Sequence, residues 1–159
     1  MQRTTTLELF KENQKFSAAH FTIFSPTERE RLHGHNFQVG VIISAPVTNN
    51  GMAIDYRKIK DLVKSICHSL DEYVLLPLNS PFLKIEDRGD QWAAIFNGET
   101  MLFLKSDTRC LEIENITVED LSYYILQRFR GTADEFPEIT VRVSSGAGQW
   151  GSSTWRRDD

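Results

Sequence analysis

Two histidines one residue apart lead directly into the most strand-like stretch of the chain. Residues 33–44 read HGHNFQVGVIIS, and 37–44 are rich in β-branched and aromatic side chains. If the strand begins at His33, then His33 and His35 point to one face, because side chains alternate along a strand. Gly34 between them leaves the opposite face open. Residues 5–19, TTLELFKENQKFSAA, carry the alternation of a preceding strand that ends at His20. An antiparallel pairing of the two, with 21–32 as the connection, sets His20 beside His33 and His35. Three neutral imidazoles with a free fourth position suit a catalytic zinc ion. Such an ion can polarise a substrate oxygen or activate a bound hydroxyl.

Further along, Ile59, Leu62, Val63, Ile66 and Leu70 recur at helical spacing and predict a helix over 56–70, closed by Leu70-Asp71-Glu72. Residues 90–104 read as a hairpin turning at Asn97-Gly98. Thr117 heads a second helix with Asp120 at its third position, close to a capping box, and the pattern runs through Leu121, Tyr124, Ile125 and Phe129. Residues 138–144, EITVRVS, predict another strand. The following SGAGQWGSSTW predicts a loop, or a loop and a short edge strand. The order β-β-α-hairpin-α-β, with antiparallel pairing, defines an α+β chain. Its 159 residues fit one domain, 1–159, with the hairpin falling inside 79–117.

A net charge of −4 and the absence of a Lys/Arg-rich block argue against nucleic acid and membrane surfaces as partners. No apolar run approaches the ~18 residues of a membrane helix, and MQRTTTLELF lacks the apolar core of a secretory signal. Cys67 and Cys110, the only cysteines, form no CxxC pair and fit a reducing compartment, so the expected location is the cytoplasm. The fourth histidine, His68, falls late in the first helix and reads as structural or solvated.

The pieces FSAAH (16–20), LHGHNF (32–37), GMAIDYRKIK (51–60), LDE…LN (70–79) and ITVEDLSYYI (116–125) occur in the order found in the 6-pyruvoyltetrahydropterin and bacterial 6-carboxytetrahydropterin synthases. The chain resembles that family over most of its length. The resemblance implies the tunnelling fold: a four-stranded antiparallel sheet with two helices on one face, here with an extra hairpin. It also implies closure of three sheets into a barrel, a trimer or hexamer with active sites between subunits, and zinc on His20, His33 and His35. The implied substrate is of the 7,8-dihydroneopterin triphosphate type, and the implied reaction is a lyase reaction on the pterin side chain.

Three positions depart from the family pattern. The usual cysteine base, four residues before the first histidine of HGH, is Arg29, with Glu28 and Glu30 flanking it. One branch of the family, used in folate synthesis, writes ExxHGH instead, and Glu30-Arg-Leu-His-Gly-His matches it. Glu30 is therefore the candidate general base, and Glu28 reads as a loop charge. A carboxylate is a weak base unless burial raises its pKa. The family's Leu-Asp-His becomes Leu70-Asp71-Glu72, which keeps Asp71 and makes Glu72 the second proton carrier. The glutamate that anchors the aminopyrimidine is replaced by Ser145. The other anchoring acid is Glu119, beside Thr117 as both helix cap and pocket residue. The GAGQWGSS tail offers N–H groups and hydroxyls suited to phosphate, and Trp150 offers a ring to stack or pack.

Overall fold

The computed structural model describes residues 2–132 and 135–157. Its organising element is β3 (His33–Pro46), fourteen residues long. β1 (Thr4–Leu9) pairs antiparallel with the second half of β3, and β2 (Lys15–His20) pairs antiparallel with the first. The single strand expected over 5–19 is therefore two strands, interrupted at residues 10–14. Gln14 causes the break: its buried side chain accepts the Lys11 N–H, and its carbonyl accepts the Val39 N–H. Backbone groups that leave the ladder are thus satisfied locally.

On the other side of β3 lies β9 (Glu138–Gly146), followed by β10 (Gln149–Arg156), both antiparallel. The tail is therefore an eight-residue edge strand rather than mainly loop. Its glycines and serines concealed the alternation that a strand normally displays.

The expected all-antiparallel sheet also needs correction. β4 (Tyr73–Pro77) joins β2 in parallel, and β8 (Thr108–Leu111) joins β4 in parallel. The sheet runs β10-β9-β3-β2-β4-β8, with β1 extending β2 along β3. Five- and four-residue apolar segments such as these give no periodicity that separates a strand from a loop.

Helices α1 (Arg57–Leu70) and α2 (Val118–Gln127) cover one face of this sheet. α1 buries Ile59, Val63, Ile66 and Leu70 against Phe37, Val39, Val41 and Ile43 of β3. α2 starts at Thr117, whose hydroxyl accepts the Asp120 N–H, as the capping pattern predicts. It ends before Phe129, which is fully buried in the turn beyond.

The hairpin expected at 90–104 is present as β6 (Gln91–Phe96) and β7 (Glu99–Leu104). Asn97 and Gly98 both have positive φ, 48° and 78°, as a two-residue primed turn requires. An unexpected third strand, β5 (Lys84–Arg88), makes it a three-stranded sheet. That sheet rests through Ala94, Phe96 and Met101 on Phe21, Ile23 and Leu76, forming a second apolar cluster beneath the connection that carries Glu30.

Candidate metal centre

The register of β2 and β3 creates the site. His20 is the direct cross-strand partner of His33, and Ala18 is the partner of His35. All three imidazoles lie on the face that also carries Phe37, with ring centroids 4.7–5.2 Å apart. One ligand atom from each falls within 4.8 Å of the others.

Backbone carbonyls fix the tautomers. His20 Nδ1 donates to the Ile116 carbonyl at 2.8 Å, and His33 Nδ1 donates to the Arg31 carbonyl at 2.7 Å. Each Nε2 is then left with a bare lone pair. His20 Nε2 is buried and has no partner among the described residues. His33 Nε2 and His35 Nε2 stand 3.0 Å apart. A proton can bridge that one pair, but only a cation satisfies all three nitrogens together. This donor set fits a borderline metal such as zinc, with the carbonyls as the outer partners that orient ligating histidines. Burial lowers the pKa of His20, opposed by the Ile116 hydrogen bond and reinforced by His33 and His35. The neutral, ligating form is therefore favoured.

Glu30 flanks this cluster, with Oε2 3.8 Å from His33 Nε2. Its other oxygen accepts the Thr22 N–H at 2.9 Å, and its own N–H donates to the Thr22 carbonyl. Burial raises its pKa, but hydrogen bonds from Thr22, with smaller electrostatic contributions from the neighbouring His33 and His20, outweigh that effect, so the net shift is downward. The carboxyl is held as carboxylate, ready to accept a proton but not made more basic by burial. Arg29, at the position of the family's cysteine, is turned to packing. Its guanidinium lies over Phe21 and Phe96, 5.1 and 5.7 Å from their centroids, and donates to the Glu30 carbonyl. Glu28 is exposed at the tip of the same loop, as its reading as a loop charge expects. His68 is exposed in the last turn of α1.

Ile116 links the cluster to the start of α2. The chain that supplies the carbonyl for His20 continues into half-buried Thr117 and exposed Glu119. Ser145 is half-buried one residue past the last β3–β9 register pair, and its hydroxyl makes no hydrogen bond to any described residue. Asp71 and Glu72 are not brought to the histidines. Asp71 accepts the Ser17 N–H, and the Glu72 N–H donates to the Ser17 carbonyl. This fixes an exposed Glu72, with φ of 64°, beside a groove of about 650 Å³. Ser17, Ala18 and Ala19 of β2, Gly34, His35 and Asn36 of β3, and Tyr73 and Val74 of β4 line that groove, so it borders the strand that carries His35.

Two contributors had no sequence signal: the Arg31 and Ile116 carbonyls act through the backbone. A third, Asn115, sits in plain polar sequence. Its amide bonds to both the N–H and the carbonyl of Ile23, tying the Glu30 loop to the start of α2.

A mixed sheet under two helices, with three histidines converging at a strand end as a candidate metal centre, defines an α+β protein of the tunnelling-fold type. The family model for 6-pyruvoyl tetrahydropterin synthase matches residues 8–153, and the chain belongs to that family. A Methanocaldococcus jannaschii protein provisionally named 6-carboxy-5,6,7,8-tetrahydropterin synthase is 28% identical over 85% of this chain and 86% of its own. The crystal structure of 6-pyruvoyl tetrahydropterin synthase from Plasmodium vivax superposes with a TM-score of 0.91 at 25% identity, covering 97% of this chain and 99% of that one. The same Plasmodium vivax protein has also been solved with a glutamate described as a catalytic residue replaced by alanine, again with a TM-score of 0.91 at 25% identity. Among the described residues no helix is long and apolar enough to cross a membrane.

Proposed function

We propose that the chain is a zinc-dependent lyase that acts on the side chain of 7,8-dihydroneopterin triphosphate or a close analogue. The observation that carries this reading is the convergence of three imidazole nitrogens, one of them buried without a partner, beside an ionised Glu30. His20, His33 and His35 would hold the metal. When bound, the metal lowers the pKa of side-chain hydroxyls and of the C–H groups next to them.

Glu30 is then the base. Its Oε2 faces the cluster while Thr22 holds its other oxygen, so the free oxygen can take a proton from a substrate carbon or hydroxyl. The catalytic glutamate of the Plasmodium vivax relative supports an acid in this role. Thr117 and Glu119, at the N-terminus of α2, are the candidate contacts for the ring, with Glu119 pairing with the N–H groups of an aminopyrimidine. Ser145 supplies at most one hydroxyl where the family has a second carboxylate.

Asp71 and Glu72 are bonded to Ser17 and not to the histidines of their own chain, so their place as proton carriers is met best by a second copy. A trimer or hexamer with sites shared between neighbours meets that need. The whole chain, 1–159, would then act as one tunnelling-fold unit, with 79–117 as its peripheral insertion. The ExxHGH form points to 6-hydroxymethyl-7,8-dihydropterin as the product, for a folate-type pathway in the cytoplasm. The unpartnered Ser145 favours one second reading, the same chemistry on a different heterocycle.

The deciding experiment incubates zinc-loaded protein with 7,8-dihydroneopterin triphosphate and identifies products by mass spectrometry. A dihydropterin with a shortened or rearranged side chain should form, and should disappear on chelation and in Glu30→Gln. Absence of turnover with zinc fully bound would remove this substrate. Full turnover in Glu30→Gln would remove Glu30 as the base.

A further inference from the structure

The face of the large sheet turned away from the helices carries a second built constellation. Phe10, just past the end of β1, packs its ring on Gly40 of β3. A Cβ on Gly40 would stand 2.0 Å from Phe10 Cε1, so only glycine admits the ring there. The register partner of Gly40 on β9 is Arg142, and the partner of Arg142 on β10 is Ser152. The Arg142 guanidinium carbon is 5.5 Å from the Phe10 centroid and 4.9 Å from the Trp150 centroid. The two rings meet edge to face at 5.6 Å.

The guanidinium and the two rings form one packed triangle, which holds the arginine against aromatic surface and leaves N–H groups for an acceptor. Among the described residues Arg142 has none: it makes no hydrogen bond and no ion pair. The neighbouring acid on its own strand, Glu138, is taken by Arg156 at 2.8 Å. Glu8 lies two residues before Phe10 and makes no bond to Arg142. The Ser152 hydroxyl beside Arg142 is exposed and also without a partner. Lys15, opposite Gln38, and Glu8, opposite Ile42, lie on this face at equal steps on either side of Gly40, so their charges offset one another there.

We infer that Arg142, packed against Phe10 and Trp150, forms with Ser152 a binding site for a small-molecule oxyanion of the phosphate or carboxylate class. A planar fork of donors matches two oxygens of either group, and a guanidinium already packed on two rings loses little freedom on binding. The site is separate from the histidine cluster. Gly40 and His35 are an odd number of residues apart on β3, which places them on opposite faces, roughly 16 Å apart along the strand. The inference does not rest on the pterin reading, and it gives Trp150 and the serine-rich tail a role.

The test is equilibrium dialysis of the zinc-loaded protein against radiolabelled inorganic phosphate at fixed ionic strength, with acetate as competitor. Saturable binding near one phosphate per chain is expected. It should weaken at least ten-fold in Arg142→Gln and persist in His33→Ala, which removes a metal ligand. Arg142→Lys keeps the charge but not the fork, and should weaken binding several-fold. Competition by acetate extends the site to carboxylates, and its absence restricts it to phosphate groups. Non-saturable uptake, or binding lost in His33→Ala and kept in Arg142→Gln, would overturn the inference. Should Arg142→Gln fail to fold by circular dichroism, Arg142→Lys and Trp150→Leu carry the same comparison.

Discussion

The histidine cluster and the Asp71–Glu72 corner are both organised by β2, yet one is complete within a chain and the other is not. His20 ends β2 on the face that carries Phe16 and Ala18, so it meets His33 and His35 under the helices. Ser17 holds Asp71 and Glu72 from the same strand by its backbone groups, and Glu72 opens onto the groove beside β2 and β4. Strand register alone assembles the histidines. The two acids make no bond to them, and the proposed shared site would bring the acids in from a second copy.

The metal half of this contrast is the easier to break, and its effect should be the largest. His33→Ala removes a ligand whose side chain is only 34% exposed and whose outer partner is a carbonyl. Changing an outer partner typically costs 10–100-fold in metal affinity. Losing the ligand itself should exceed that and leave substoichiometric zinc by atomic absorption, while far-ultraviolet circular dichroism stays unchanged. Wild-type zinc content in this variant would discard the three-histidine site.

The acid half is sharpened by mixing. Glu30→Gln and Glu72→Gln should each be nearly inactive alone. Unfolded together and refolded, they should regain part of the wild-type rate, because some sites then receive an intact Glu30 from one chain and an intact Glu72 from another. Activity that stays at the level of the separate variants would place both acids in one chain's site, or exclude Glu72.

Legibility in the sequence divides along the same line. His20, His33 and His35 were readable because strand periodicity converts spacing into direction, and both helices were readable from their apolar stripes. The corner was not. Tyr73–Pro77 and Thr108–Leu111 are too short for periodicity to identify, so the parallel strands that turn Glu72 outward went unseen. The split of 5–19 into two strands depends on one buried glutamine, Gln14. β10 was masked by the glycines and serines of its own strand. The resemblance identified Glu30, but the local reason that Glu30 and not Arg29 faces the histidines is packing of Arg29 on Phe21 and Phe96, which no local pattern displays.

A smaller effect tests the link between the cluster and α2. Thr117 caps α2 directly after the residue whose carbonyl fixes His20. Thr117→Ala should cost about 1 kcal/mol of stability by urea unfolding. It should also loosen zinc by less than His33→Ala does. A stability loss with no change in zinc affinity would show that the α2 start and the His20 carbonyl are independent.

The smallest expected effect concerns the strain at the corner. Glu72 adopts a φ of 64°, a left-handed conformation that a Cβ makes unfavourable, and two hydrogen bonds at Ser17 hold the turn there. Glycine adopts that conformation without penalty. Glu72→Gly should therefore be more stable than Glu72→Ala by about 1 kcal/mol in urea unfolding, although it also gains chain entropy when unfolded. Both variants lack the carboxylate, so both should lose turnover equally. If activity followed stability instead, with the glycine variant recovering turnover, the corner would serve only to shape the turn and Glu72 would not be a proton carrier. Equal loss in two variants of unequal stability would separate the chemical role of the side chain from the conformational role of its backbone.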